Sequence, residues 1–247
     1  MGTVVTVAVP EGCAPALLDQ VFAWFHWVDR TFSVHRPDSQ VSLAGAGHLA
    51  PGDAHPLVEE VLDRCAGLFA ETDGWFDAWP HGPGQGVDPS GYVKGWSVDV
   101  AAGLLQGGGL ADYCISAGGD LRAAGRAPEG RPWRIGVQHP LERQAVAAVL
   151  ESSDLAVATS GAYQRGAHIW GRAGGDLLSA TVAGPRLGTA DALATALFAA
   201  DGKAGGWFHR FPGYHYLTIG TDRRVRWTPG LGRYLVPPDP CVGDLAS

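Results

Sequence analysis

A chain of 247 residues, 46% of them hydrophobic and 17% charged, has the material for a sizeable core and is not a disordered segment. Its 25 acidic against 18 scattered basic residues give a formal charge of -7, an average surface that repels a nucleic-acid backbone, so no nucleic-acid partner is expected. No stretch of roughly 18 uninterrupted apolar residues occurs, so no membrane-spanning segment is expected either. The opening TVVTVAV has no basic leader before it, and Val5, Val7 and Val9 alternate with Val4, Thr6 and Ala8 as in a strand over residues 3–9. A non-exported, cytoplasmic protein is the expectation.

After Pro15, the residues Leu17, Leu18, Val21, Phe22, Phe25 and Val28 recur at helical spacing, which predicts an amphipathic helix from Ala16 to Thr31 with His26 on its outer side. A loop, FSVHRPDSQVSLAGAG, precedes a second helix from Pro56 to Glu71, with Leu57, Val61, Leu62, Cys65, Leu68 and Phe69 inward. Residues 73–91 are rich in Gly and Pro and carry Trp75, Phe76 and Trp79, a poor regular element but a suitable wall for a flat ligand. Lys94 to about Leu105 has helical periodicity. LADYCISAGG, PWRIGVQHP, AVAAVLES, LAVATSG and residues 177–183 read as strands, and ADALATALFAA reads as a helix starting near Thr189. YHYLTIGTDRRVRWTPG reads as a hairpin turning around residues 220–223. Helices and strands alternate without a βαβα rhythm, so the fold class is α+β, a mixed sheet with helices packed on it in one unit spanning residues 1–247. Cys13, Cys65, Cys114 and Cys241 are far apart, form no CxxC pair, and read as ordinary buried thiols.

Five places could carry chemistry. AGGD, residues 117–120, ends a strand: Gly118 and Gly119 allow close backbone approach or positive φ, and Asp120 can accept hydrogen bonds, although a ligand-free turn would look the same. Asp191 and Thr195 lie four apart on one helical face, where a carboxylate and a hydroxyl could hold a hard cation. A local cap or a solvated charge is the plainer alternative. ATSGAY puts Thr159, Ser160 and Gly161 after a strand, suited to phosphate or ring-edge contacts, yet no GxxxxGK[ST] loop and no GxSxG elbow occurs. His168 could accept a proton from an attacking hydroxyl or hold a phosphate oxygen. Lys94, taken as a helix start with Asp99 further along, could meet an anion or a neighbouring carboxylate.

Taken in order, these pieces resemble the ApbE family, the FAD:protein FMN transferases. FSVHRPDSQVSLAG resembles that family's FSxYRPxSExSxLN, GWFDAW its GxFD, and DPSGYVKGWSVD its DLGGIAKGYAVD. AGGD, PWRIGVQHP, ATSGAY, the HI of residues 168–169 and ADALATALF each resemble a further family block. The resemblance implies an extended FAD as substrate and a Mg²⁺ ion held by Asp191, Thr195 and the backbone carbonyl of Ala117. Phe76, Lys94, Asp99, Gly118, Gly119, Asp120, Ser160, Gly161, His168 and Ile169 would line the flavin site, with His168, Asp191 and Thr195 as the catalytic set. A threonine or serine hydroxyl of a partner flavoprotein would attack the FMN phosphorus, and AMP would leave.

The chain departs from that pattern at HIWGRAGG, where the family has HIIDPRTG, and at Ala162, where the family has an acidic residue. Two other outcomes therefore stay open: an FAD diphosphate hydrolase giving FMN and AMP, and a flavin-binding protein without turnover.

Overall fold

The computed structural model describes residues 3–50, 52–79, 86–142, 144–161, 175–203 and 206–237. In chain order they form β1 (Val5–Ala8), α1 (Pro15–Phe32), α2 (Gln40–Gly45), α3 (Pro56–Glu71), α4 (Ser90–Gly107), β2 (Tyr113–Ala117), β3 (Asp120–Ala124), β4 (Trp133–Gln138), β5 (Val146–Ser152) and β6 (Asp154–Gly161). β7 (Leu177–Gly184), α5 (Leu187–Ala199), β8 (His215–Gly220), β9 (Val225–Trp227) and β10 (Leu235–Val236) follow. A seven-stranded sheet runs β1-β2-β3-β6-β7-β8-β9, and a three-stranded sheet runs β10-β5-β4. The class is α+β as expected. The strand pairs in both sheets are antiparallel rather than mixed in direction.

The large sheet is the middle of three layers, and β6 shows why. Successive side chains of a strand point to opposite faces. Leu155 and Val157 enter a core with Ile135, Val137 and Leu150 of the small sheet, while Ala156 and Ala158 enter the core on the helical side. A strand covered on both faces reads as an apolar run instead of an alternation, which is what LAVA at residues 155–158 does. α5 is buried almost all round, with Leu187, Ala190, Asp191, Ala192, Leu193, Ala194, Ala196 and Leu197 inside. Its alanines let it lie close to the sheet and to α4.

Several expectations are corrected by this packing. The helix expected from Lys94 begins at Ser90, four residues earlier, where Pro89 precedes it and the Ser90 amide donates to Asp88 Oδ1 at 3.0 Å. Gly91 suggests a loop by propensity, but helix contact at this position outweighs the glycine penalty of about 1 kcal/mol. The loop after α1 contains the short helix α2, capped by Ser39, whose Oγ accepts from the Ser42 amide. β3 and β10 are additional strands. Phe22 and Phe69, expected inward, are 41% exposed, whereas Trp24 and Trp27 stack at 5.1 Å on the inner side of α1. His26 is exposed as expected.

Among the described residues no helix is long and apolar enough to cross a membrane. Cys65 is buried and Cys114 half-buried, and desolvation of the thiolate pushes their ionisation up, to about 12 and about 11. Cys13 is half-buried near the start of α1, and Cys241 lies outside the described residues. Alkylation of the native protein at pH 8.5 should therefore leave Cys65 and Cys114 unmodified while Cys13 reacts, as peptide mapping would read. Rapid modification of Cys65 without unfolding would contradict its burial.

Candidate active site between α4, α5 and the β2–β3 hairpin

α4 and α5 approach backbone to backbone. A Cβ on Gly95 would collide with the Leu187 carbonyl, and one on Gly188 would lie 3.0 Å from Trp96 Cα. Four residues before Gly95, a Cβ on Gly91 would sit 3.2 Å from the Phe76 ring and 3.3 Å from Thr195 Oγ1. Four residues after it, Asp99 receives the Leu187 amide on Oδ1 and the Gly188 amide on Oδ2, both at 2.9 Å. The stripe Gly91, Gly95, Asp99 is thus the face of α4 that meets α5.

Against this helix pair the sheet presents Asp120, the first residue of β3. Its carboxylate is fully buried, accepts the Thr159 amide at 2.9 Å on Oδ1, and binds the Lys94 ammonium through Oδ2. Lys94 also lies 3.5 Å from Asp191 Oδ1, so one cation bridges carboxylates from β3 and α5. Lys94 is 7% exposed and Asp191 2%. Buried charges of this kind persist because they are paired. One ammonium thus ties a carboxylate of the sheet to a carboxylate of α5.

Hydroxyls complete the wall. Thr195 Oγ1, one turn beyond Asp191, lies 3.4 Å from Ser160 Oγ, and Thr159 Oγ1 lies 2.9 Å from Thr181 Oγ1. The β2–β3 turn holds Gly118 and Gly119 at φ 58° and 94°, the left-handed region that favours glycine. A Cβ on Gly118 would also strike the Thr3 side chain. Phe76 is buried at 2%, its amide held by Thr72 Oγ1 at 3.0 Å, while Trp75 and Trp79 on either side are 43% and 41% exposed.

The Asp191 carboxylate and the Thr195 hydroxyl are hard oxygen atoms one helical turn apart, and the Ser160 hydroxyl adjoins the second of them. Among the described residues no cluster of three or more His, Cys, Asp or Glu could hold a metal. A Mg²⁺ ion does not need one, since it keeps waters and binds one or two carboxylates plus phosphate oxygens.

The ApbE family pattern matches residues 1–81 and 78–216. This chain belongs to the ApbE family. The FAD:protein FMN transferase of Vibrio cholerae serotype O1 is 36% identical over 173 residues, covering 64% of this chain and 52% of that protein. The chain therefore spans about half the length of that curated relative. Two solved structures share the fold. The flavin transferase ApbE from Vibrio cholerae superposes with a TM-score of 0.81 at 24% identity, over 95% of this chain and 96% of that one. The ApbE protein of Thermotoga maritima gives 0.80 at 22%, over 96% and 97%.

Of the residues that the ApbE likeness implicates, Lys94, Asp120, Asp191, Thr195 and Ser160 meet in one place, and Phe76 joins them across Gly91. Lys94 is not at a helix start as expected but is the fifth residue of α4, where it is bound by carboxylates. Ala117 is buried at the end of β2, paired with Asp120 across the hairpin, and Gly161 ends β6 opposite Ser179. Asp99 lies at the other end of the helix contact, on the N-terminus of α5. Burial pushes its carboxyl above the ordinary carboxylate range, opposed by the amides of Gly188 and Leu187. His168 and Ile169 lie outside the described residues. Gly91 was missed in the sequence; the repeat of four that links Gly91, Gly95 and Asp99 was the available signal.

Proposed function

We propose that this chain is a magnesium-dependent transferase that moves the FMN half of FAD onto a serine or threonine hydroxyl of a target flavoprotein, forming a phosphoester and releasing AMP. The observation that carries the reading is the convergence of Lys94, Asp120 and Asp191, with Thr195 one turn on, where α4 and α5 meet the β2–β3 hairpin. Membership of the ApbE family supports it, as does the likeness to a Vibrio cholerae protein named an FAD:protein FMN transferase.

Asp191 and Thr195 would hold the ion, with the Ala117 carbonyl as a further oxygen donor. When bound, Mg²⁺ supplies neutralisation of the charge on the diphosphate and its leaving phosphate. Lys94 contributes a second positive charge, fixed by Asp120 so that it need not reorganise during the reaction. Gly118, Gly119, Asp120, Ser160, Gly161 and Ile169 would line the FAD, and Phe76, buried behind Gly91, would back the apolar side of that site. The acceptor hydroxyl oxygen forms a bond to the FMN phosphorus. The bond from that phosphorus to the bridging oxygen breaks, AMP leaves with the oxygen, and the hydroxyl proton passes to His168. No side chain of this protein becomes a covalent nucleophile.

Mass spectrometry of the protein incubated with FAD, Mg²⁺ and serine- or threonine-containing flavoprotein fragments tests the reading, with AMP and free FMN quantified alongside. A fragment heavier by one FMN, with matching AMP, is the expected result. AMP with equimolar free FMN would replace transfer by hydrolysis, and intact FAD across the panel despite tight flavin binding would replace it by a binding role.

A further inference from the structure

We infer that Asp99 is a positioning residue for the cation site: it fixes the start of α5 and thereby the placement of Asp191 and Thr195, without touching flavin. The inference rests on the proposed function for the identity of the site, but its argument is geometric. The first amides of a helix have no partner within the helix and need one from outside. α5 begins after Arg186, whose side chain makes no capping hydrogen bond. Asp99 supplies that cap from another helix, with one carboxylate oxygen for each of the Leu187 and Gly188 amides. A carboxylate at a helix N-terminus is also favoured by the helix dipole.

A bidentate cap across two helices fixes more than a local one. Leu187, Asp191 and Thr195 are spaced by four, so they share a stripe of α5, and the first is tied directly to α4. Gly95 lets the two backbones close at the same point, because any side chain there would meet the Leu187 carbonyl. Lys94, the neighbour of Gly95, reaches Asp191 from that docked position. Translation or rotation of α5 against α4 would therefore change the Lys94–Asp191 approach and the Gly91–Thr195 approach together. The Asp99 carboxylate is 7% exposed and already engaged by two amides, with Arg186 Nε 3.9 Å away. It serves the site through α5.

The test compares the wild type with Asp99→Asn, which keeps the side-chain shape but only one acceptor oxygen, and with Gly95→Ala, which pushes the helices apart by a different route. Mn²⁺ binding in the presence of FAD is followed by loss of the free-ion paramagnetic resonance signal. Flavin affinity is read separately by fluorescence quenching, and α5 order by hydrogen exchange at residues 187–195. Both variants should weaken Mn²⁺ about tenfold, the scale seen when groups supporting metal ligands are lost. Flavin affinity should stay unchanged, and exchange in the first two turns of α5 should quicken. Flavin affinity falling while Mn²⁺ binding holds would overturn the inference and make Asp99 a flavin contact. Unchanged exchange in α5 would overturn it as well, whatever the metal does. Failure of the wild type itself to bind Mn²⁺ would instead refute the proposed cation site, and with it the role assigned to Asp99.

Discussion

Asp191→Ala should lower FMN transfer by about two orders of magnitude, the ~3 kcal/mol expected when a charged ligand to a Lewis-acid cation is lost from a phosphoryl-transfer site. Asp191 is the buried carboxylate of α5 that shares a helical stripe with Thr195. Its removal deprives the ion of its anionic anchor, whereas Lys94 keeps Asp120 as a partner, so the fold should survive. Thr195→Val removes a neutral donor of similar volume and should cost about tenfold, an effect that raised Mg²⁺ should partly reverse. Timed AMP release across a Mg²⁺ series reads both. Undiminished turnover of Asp191→Ala at limiting Mg²⁺ would remove this residue from the metal site.

How much of this could be read from the chain depends on how local each signal is. α3 is found at its expected ends, because Pro56 opens it and its apolar residues keep helical spacing to Leu68. The pair Asp191 and Thr195 was legible for the same reason, as a spacing of four within one helix. β3 was not legible. Asp120 and Arg122 make DLRAA a poor strand by composition, and the sheet accepts it because Asp120 meets Lys94 of α4 while Arg122 pairs with Asp154 of β6. α4 was read too short because Gly91, after a stretch rich in Gly and Pro, looks like a loop residue until Thr195 of α5 lies against it. The periodicity of α1 and α3 named the buried face but not its edges: Phe22 and Phe69 obey the spacing and still face outward. The meeting of Lys94, Asp120 and Asp191 joins residues from three distant elements, and no spacing within the chain encodes it. Only the family likeness gathered them in advance.

Lys94→Met should destabilise the protein by about 3–5 kcal/mol, the cost of leaving a buried carboxylate without its charge partner. At this chain length that corresponds to a fall of roughly 10 °C in the unfolding midpoint. Methionine keeps the aliphatic length, so lost packing contributes little, and the effect reads the charge. Asp120 is fully buried and its other oxygen is already engaged by the Thr159 amide, so no water can easily replace the ammonium. Neutralising Asp120 as well should recover stability: the double variant Lys94→Met with Asp120→Asn should be less than additive, because the two groups interact directly. Added Mg²⁺ should raise the midpoint of Lys94→Met more than that of the wild type, since a cation beside Asp191 then takes over part of the lost charge. Denaturant midpoints for the four proteins, with and without Mg²⁺, check all three statements. Strict additivity would mean that Lys94 acts on the fold through something other than Asp120, and a Mg²⁺ response equal to the wild type's would separate the cation site from the Lys94 bridge.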